Sequence, residues 1–431
     1  MSTRAYQCPC CGAPLQYGAA QGKLTCDSCG TSFDLEAVEA ANQAPEGQGG
    51  IAFDLSAESF DAAEAGQMQA YVCKSCGAEL MTEDTTTATE CPYCGSPTIL
   101  PNRIEGSVKP EKVIPFTVTK EQAQQQFTDY FKGKKLMPNI FLKGRNRIAD
   151  IRRLYVPYWL FECDAFARIA YDAEKQHTEC SGEWEITRTR HYIVHRAGGM
   201  SFENIPVDGS QKLDDAITES LEPYDLSAAV PFQPAVLAGS LADCADVDAS
   251  ACESRAVERV ESSMAAALRD TVNGYTSVTE KNRQFSAEGC RATPVLLPVW
   301  LITTNKEGKT YTFAINGQTG KLTCDVPADM AKSFAWGGGV FAGVFALAAL
   351  ALYLTEYLAS GTLLMAAVLA AIVALAVVGC LKAQLNQAVM QSEASSYVRE
   401  GSFSLSEQSD HFLYETTQRR KIETNDDKDK K

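Results

Sequence analysis

The residues of this sequence best suited to chemistry are the cysteines near its start. Eight of the first nine cysteines form four Cys-x-x-Cys pairs, and this spacing lets two sulfurs converge on one metal ion. Two pairs separated by fourteen residues make one unit, and a second unit repeats the first at an offset of 65 residues. The predicted metal ligands are Cys8, Cys11, Cys26 and Cys29 in the first unit and Cys73, Cys76, Cys91 and Cys94 in the second.

Four thiolates per unit favour two structural Zn²⁺ sites of the zinc-ribbon type. All eight positions are cysteine, so neither site has an obvious open position for a catalytic water. The alternative, redox-active cysteine pairs, requires a βαβ context that these segments lack. Cys10 lies inside the first pair and competes with Cys8 as a ligand, but Cys8 fits the register of the repeat.

The sequence contains no recognisable arrangement of catalytic groups. The segment 307–310 resembles the end of a phosphate-binding loop, but Thr303 stands where that motif needs glycine. His191 and His195 share one face of strand-like sequence without a glutamate at the spacing of a zinc peptidase. The sequence therefore predicts no catalytic and no cofactor-binding residue, and we expect a protein that is not an enzyme.

Charge bears on the class of partner. The chain of 431 residues carries a formal net charge of −15, and residues 1–107 hold four basic and fourteen acidic side chains. Such a surface repels phosphate, so nucleic acid is an unlikely ligand and protein partners are favoured. A nucleic-acid-binding zinc ribbon, linked to transcription or replication and tethered to a membrane, stays open as the alternative.

Two apolar stretches near the C-terminus predict a transmembrane helical hairpin. Residues 334–354 and 362–381 contain no charged side chain, and each is long enough to cross a bilayer as a helix. Lys332 and Lys382 flank the hairpin, whereas its loop contains neither lysine nor arginine. The positive-inside rule then places both termini in the cytoplasm, with two spans in the cell membrane. Glycine and alanine in these stretches favour close packing, including packing against another membrane subunit.

The region between the cysteine units and the hairpin contains a second, weaker repeat. Residues 113–116 and 156–160 are matched by residues 229–232 and 297–301. Trp159 and Trp300 occupy equivalent positions, and apolar side chains at four-residue spacing predict a helix over 252–272. We expect two related α+β lobes that form one domain.

These features divide the chain into six parts and predict a multidomain protein. The predicted parts are zinc ribbon 1 (1–34), an acidic linker (35–70), zinc ribbon 2 (71–107), a duplicated two-lobe α+β domain (108–331), a transmembrane helical hairpin (332–382) and a cytoplasmic polar tail (383–431).

Several of these motifs together resemble a bacterial family of membrane-anchored TFIIB-type zinc-ribbon-containing proteins. The resemblance is carried by the cysteine pairs, Ile114-Pro115-Phe116, the segments 155–160 and 297–301, Gly317-Gln318-Thr319-Gly320 and the tail segments 395–401 and 412–414. Some members are similar to components of a membrane-stress system that includes phage-shock protein A and SPFH-type scaffolds. Such proteins are also sometimes labelled as primosomal proteins or replication-restart helicases because of their zinc ribbons.

The resemblance implies a membrane platform that docks cytosolic proteins. Combined with the anchor, the zinc ligands and the charge, it leads to the hypothesis of a non-enzymatic adaptor at the bacterial inner membrane. A phage-shock-type or SPFH-type scaffold and the lipid bilayer are then the expected partners.

Overall fold

The computed structural model describes residues 6–18, 22–42, 51–83, 90–97, 99–138, 151–306, 309–324, 326, 328–357, 359–385 and 388–421. Its helices are α1 (Leu35–Ala41), α2 (Ala62–Ala65), α3 (Lys120–Tyr130), α4 (Asp215–Ser220), α5 (Ala249–Asp270), α6 (Met330–Leu354) and α7 (Ser360–Ala383). Its strands are β1 (Gln16–Gly18), β2 (Lys23–Thr25), β3 (Ser32–Phe33), β4 (Met68–Cys73), β5 (Glu79–Glu83), β6 (Ile99–Asn102), β7 (Lys112–Val113), β8 (Arg152–Ser181), β9 (Trp184–Asp208), β10 (Val230–Pro231), β11 (Leu241–Asp243), β12 (Ser277–Lys306), β13 (Lys309–Asn316), β14 (Leu322–Cys324) and β15 (Ser404–Lys421).

The strands form two sheets of very different size. Strands β1, β2 and β3 make a small sheet in the first cysteine unit, and β4 to β15 make one large mixed sheet. Most of its neighbours are antiparallel, but β11 runs parallel to β8 and β7 runs parallel to β12. A large mixed sheet domain therefore follows the first cysteine unit.

Four long strand segments extend from the body of this sheet as an arm, in the order β12-β8-β9-β15. We define the arm as residues 163–181, 184–202, 277–288 and 404–421, which pair antiparallel along their length. On one face, Ala167, Ile169 and Tyr171 of β8 are buried in the same cluster as Met264 and Leu268 of α5. The sequence periodicity that predicts a helix at 252–272 thus corresponds to α5, whose apolar stripe covers this face.

Segments 156–160 and 297–301, which the sequence matches as a repeat, make equivalent hydrogen bonds. Trp159 Nε1 donates to the Val247 carbonyl just before α5, and Trp300 Nε1 donates to the Val118 carbonyl just before α3, both at 2.9 Å. The amide of Gly209 likewise bonds to the Pro157 carbonyl, as that of Gly317 does to the Pro298 carbonyl. Each half therefore supplies the helix that packs on the strands of the other half.

Helices α6 and α7 form an antiparallel hairpin inserted between β14 and β15. They have 25 and 24 residues, and each is long and apolar enough to cross a membrane by length and composition. Leu385, after α7, is buried in one cluster with Ile151 and Phe313. The Tyr130 hydroxyl also donates to the Leu385 carbonyl, so the base of the hairpin is joined to the large sheet.

The structure corrects the prediction that residues 35–70 form an acidic linker between separate units. Alternate residues Ile51, Phe53 and Leu55 pack against the core, and Asp54 pairs with β12 through bonds to Cys290 and Ala292. This period-two apolar pattern is typical of a strand, and its burial outweighs the acidic composition that predicts a spacer. Residues 43–50 of that segment lie outside the described residues.

Two further predicted boundaries differ from the structure. The second cysteine unit is not separate, because β5 pairs with β11 and so joins the large sheet. The predicted polar tail returns to the sheet as the 18-residue strand β15, which pairs with β9. Backbone hydrogen bonds to an open strand edge stabilise this polar segment, although it has little apolar surface to bury. The final charge run, 425–431, lies outside the described residues.

Candidate metal centres

The structure brings the eight predicted ligand cysteines together in two groups of four. Within each group the sulfur atoms lie within 4.8 Å of one another. Cys8 and Cys29 are 3.7 Å apart and Cys11 and Cys26 are 3.5 Å apart, measured between sulfurs. The corresponding distances in the second unit, Cys73 to Cys94 and Cys76 to Cys91, are 3.7 and 3.6 Å.

These distances fit a tetrahedral metal ion. A tetrahedron with metal–sulfur bonds of about 2.3 Å has sulfur–sulfur edges of about 3.8 Å. Each ligand pair comes from a turn in which the amide four residues after the first cysteine donates to that cysteine's carbonyl. The donor residues all have positive φ and are Gly12, Gly30, Gly77 and Gly95. Glycine adopts this backbone conformation without strain, so the Cys-x-x-Cys-Gly sequence forms the ligand turn locally.

Local hydrogen bonds favour the thiolate form at one ligand of the first unit. The Thr31 hydroxyl lies 3.3 Å from the sulfur of Cys29, and hydrogen bonds from Thr31 lower the pKa of that thiol to about 6. A thiolate is the form that binds metal. Cys10 is exposed and is not one of the four convergent sulfurs.

The second unit is attached to the large sheet by a buried hydrogen-bond network. Tyr93, between Cys91 and Cys94, donates its hydroxyl to Asp243 of β11 at 2.7 Å, and Ser210 also donates to Asp243. Burial raises the pKa of the Asp243 carboxyl to about 7, although these hydrogen bonds act in the opposite direction. The sequence gives no signal for this network, because its members are far apart in the chain.

A second attachment comes from Arg152, the first residue of β8. Its guanidinium donates to the carbonyls of Cys91 and Pro92 at 3.1 and 3.2 Å and pairs with Glu90. One arginine thus binds the backbone of the ligand turn that carries Cys91. Arg152 lies next to the second metal site in space, although its position in the sequence predicts only the start of a strand.

The first unit has no such polar connection of its ligand turns to the sheet among the described residues. Instead, Phe33 of β3 makes an edge-to-face contact with Tyr414 of β15, with ring centroids 6.3 Å apart. Ala37 of α1 is buried against Ala170 and Ile193 of the arm. The first unit therefore rests on the face of the arm opposite α5 mainly through apolar contacts, to which Lys281 of β12 adds a hydrogen bond to the Ala41 carbonyl of α1 at 3.2 Å.

The histidines and the cysteines outside the two units do not assemble into another metal cluster within the described parts of the chain. His191 stacks on Tyr414 at 4.4 Å, and His195 is buried within β9. Burial lowers the pKa of His195 and so favours its neutral form. Most of the remaining cysteines are buried as small core residues, namely Cys163, Cys244, Cys252, Cys290 and Cys324.

Comparison with known proteins gives one informative relationship. The chain is 34% identical over 341 residues to the uncharacterized protein YdjG of Bacillus subtilis (strain 168), and the match covers 79% of this chain and 95% of YdjG. No protein-family model matches the chain. No solved structure matches it either.

Proposed function

The chain belongs to the same family as YdjG, and from that premise we propose that it is a non-enzymatic, membrane-anchored zinc-ribbon adaptor for cytosolic proteins. The observation that carries the proposal is the arm, which presents the first cysteine unit far from the hairpin. Ile151, immediately before β8, lies in the cluster at the hairpin base, whereas Ala170 of β8 contacts the first unit. At about 3.3 Å per residue, these positions are up to about 60 Å apart.

Zinc is the metal we propose for both cysteine groups. Soft thiolate ligands in a tetrahedron suit Zn²⁺, and a four-cysteine site leaves no free coordination position. A closed site of this kind stabilises a small fold and performs no reaction, which supports a docking role over a catalytic one.

We propose further that the hairpin crosses the bacterial inner membrane and that both termini are cytoplasmic. Both ends of the hairpin join one sheet, which supports placing β14 and β15 on the same side. Lys332 and Lys382 at these ends favour the cytoplasmic side. The many free cysteines of the chain suit the same reducing compartment.

The acidic character of the first 107 residues favours a partner with a basic surface. In the membrane-stress setting implied by the resemblance, we propose a scaffold of the phage-shock protein A or SPFH class. The proposed docking surface is the first unit, because it is a separate small sheet that the arm carries.

Affinity purification of the tagged full chain from mild-detergent membranes tests this proposal. The informative variant is Cys26→Ser/Cys29→Ser, which removes half of the first ligand set and leaves the second unit intact. Cys180→Ser is the matched control, because this exposed cysteine of the arm belongs to neither group.

We expect a scaffold of the named class to copurify with the parent and the control and to be lost from the variant. Recovery of the same scaffold with all three proteins would contradict docking through the first unit. Nuclease-sensitive complexes would instead support the nucleic-acid alternative.

A further inference from the structure

A cluster of lysines surrounds the base of the hairpin in a chain that is otherwise acidic. The loop 131–138 follows α3 and contributes Lys132, Lys134 and Lys135, and the hairpin ends contribute Lys332 and Lys382. The loop contacts both helices: Lys134 donates to the Gln384 carbonyl after α7, and Lys332 of α6 donates to the Met137 carbonyl at 2.5 Å. These contacts place the five lysines around one end of the hairpin.

Few carboxylates neutralise this cluster. Lys132 pairs with Asp129, and Asp329 caps the amide of Lys332 at the start of α6. Lys135 and Lys382 are exposed and have no ion-pair partner among the residues that the structure describes. Exposed cations at the end of an apolar helix hairpin are positioned to meet lipid phosphates.

An apolar cleft lies one helical turn further along α6. It has a volume of about 450 Å³ and is lined by Ala335, Trp336, Gly339 and Val340. Trp336 is 38% exposed, and the Lys135 ammonium lies 4.3 Å from its ring centroid. Tryptophan is enriched at the boundary between headgroups and acyl chains. The arrangement thus combines a cationic rim with an adjoining apolar surface.

We propose that this cluster and cleft bind an anionic phospholipid, with the phosphate headgroup at Lys135 and Lys382 and an acyl chain along Trp336 and Gly339. The choice of a lipid follows from charge complementarity together with the apolar cleft. A free phosphate ion would pair with the lysines but has no apolar part to fill the cleft. The proposal rests on the proposed membrane anchor. It adds a lipid class and a binding site to that anchor.

Tryptophan quenching in vesicles tests this site with the full chain. The protein is reconstituted in equal amounts of phosphatidylcholine and phosphatidylglycerol, with bromine on the acyl chains of one lipid at a time. Subtracting the signal of Trp336→Phe isolates Trp336 from the other three tryptophans. We expect brominated phosphatidylglycerol to quench Trp336 more strongly than brominated phosphatidylcholine.

Charge variants give the size of the effect. Each lysine near a lipid surface contributes about fivefold in affinity, so Lys135→Gln/Lys382→Gln is expected to lower the preference for phosphatidylglycerol by more than tenfold. Lys120→Gln is the matched control, because Lys120 is exposed at the opposite end of α3. The control should keep the preference of the parent.

The outcomes separate this proposal from the membrane anchor. Equal quenching by both lipids would overturn the lipid site and leave the anchor intact. Absence of quenching by either lipid would overturn both proposals. Loss of the preference on adding inorganic phosphate at the same ionic strength would show a phosphate site instead of a lipid site.

Discussion

The two cysteine units have the same ligand spacing and nearly the same sulfur geometry, but the protein holds them in different ways. The first unit has its own three-stranded sheet and touches the arm mainly through apolar side chains, with one hydrogen bond from Lys281 to the end of α1. The second unit shares backbone hydrogen bonds with the large sheet and is joined to it by Tyr93 and Arg152.

Metal binding and the structural effect of losing the metal therefore depend on different features of each unit. Ligand type and spacing determine what each unit can bind, but the surrounding contacts determine what is lost when the metal leaves. We expect the second site to support the sheet that positions every other element. Loss of metal from the first site should remain local, because this unit has its own sheet.

The largest expected effect comes from removing ligands of one unit at a time. Cys76→Ser/Cys94→Ser should lower the stability of the large domain by several kcal/mol, because the unit that is lost contributes strands to its sheet. Cys11→Ser/Cys29→Ser, which changes the matching ligands of the first unit, should leave the main unfolding transition nearly unchanged. Thermal unfolding and limited proteolysis of both variants measure this contrast.

Metal analysis of the same two variants is the control. Each should bind one metal ion where the parent binds two, and membrane insertion should persist in both. Two metal ions in either variant would show that its ligand assignment is wrong. Equal destabilisation by the two variants would contradict the difference between the units.

An intermediate effect is expected from pH, through the buried hydrogen bond that joins Tyr93 of the second unit to Asp243. The pKa of Asp243 in the folded protein, about 7, exceeds its ordinary value of 3.8, so folding takes up a proton between these values. The stabilisation is complete at low pH and is lost as the pH rises towards 7.

Asp243→Asn should remove this dependence, which has a limit of about 1.4 kcal/mol per pH unit. Relative to the parent, the variant should therefore gain stability as the pH rises from about 5 to 8. Denaturant unfolding with excess zinc measures the difference. Parallel stability curves for the two proteins would contradict the role assigned to Asp243.

The smallest effect concerns the docking of the first unit on the arm. Tyr414→Ala removes the edge-to-face contact with Phe33 and the stacking on His191, which together contribute about 1–3 kcal/mol. Amide exchange should quicken in β1, β2 and β3 and stay unchanged in β4 and β5. Phe412→Ala is the control, since this exposed aromatic residue of the same strand packs on Tyr192, on the face of the arm that α5 covers.

The parts of the molecule that the sequence predicted well are those set by local spacing. The Cys-x-x-Cys-Gly turns, the hairpin helices and α5 depend on residues within a few positions of one another. The two tryptophans of the central repeat also lie in equivalent environments. In each case the sequence pattern corresponds directly to one feature of the structure.

The parts that the sequence missed depend on contacts between distant residues. Tyr93 and Asp243 are 150 positions apart, and no local pattern relates them. The segment around Asp54 has the composition of a spacer, yet its backbone completes the edge of β12. Strand β15 is polar throughout much of its length and is stabilised by pairing with β9. Composition describes what a segment can bury but not which strand edge is open to receive it.

The position of the hairpin between β14 and β15 has a consequence for biosynthesis. Strand β9 leaves the ribosome about 200 residues before its partner β15. During that interval the edge of β9 is unpaired, and both apolar helices emerge before the pairing strand does. The arm is therefore completed last, after both helices of the hairpin have been made, and until then the open edge of β9 is exposed to aggregation.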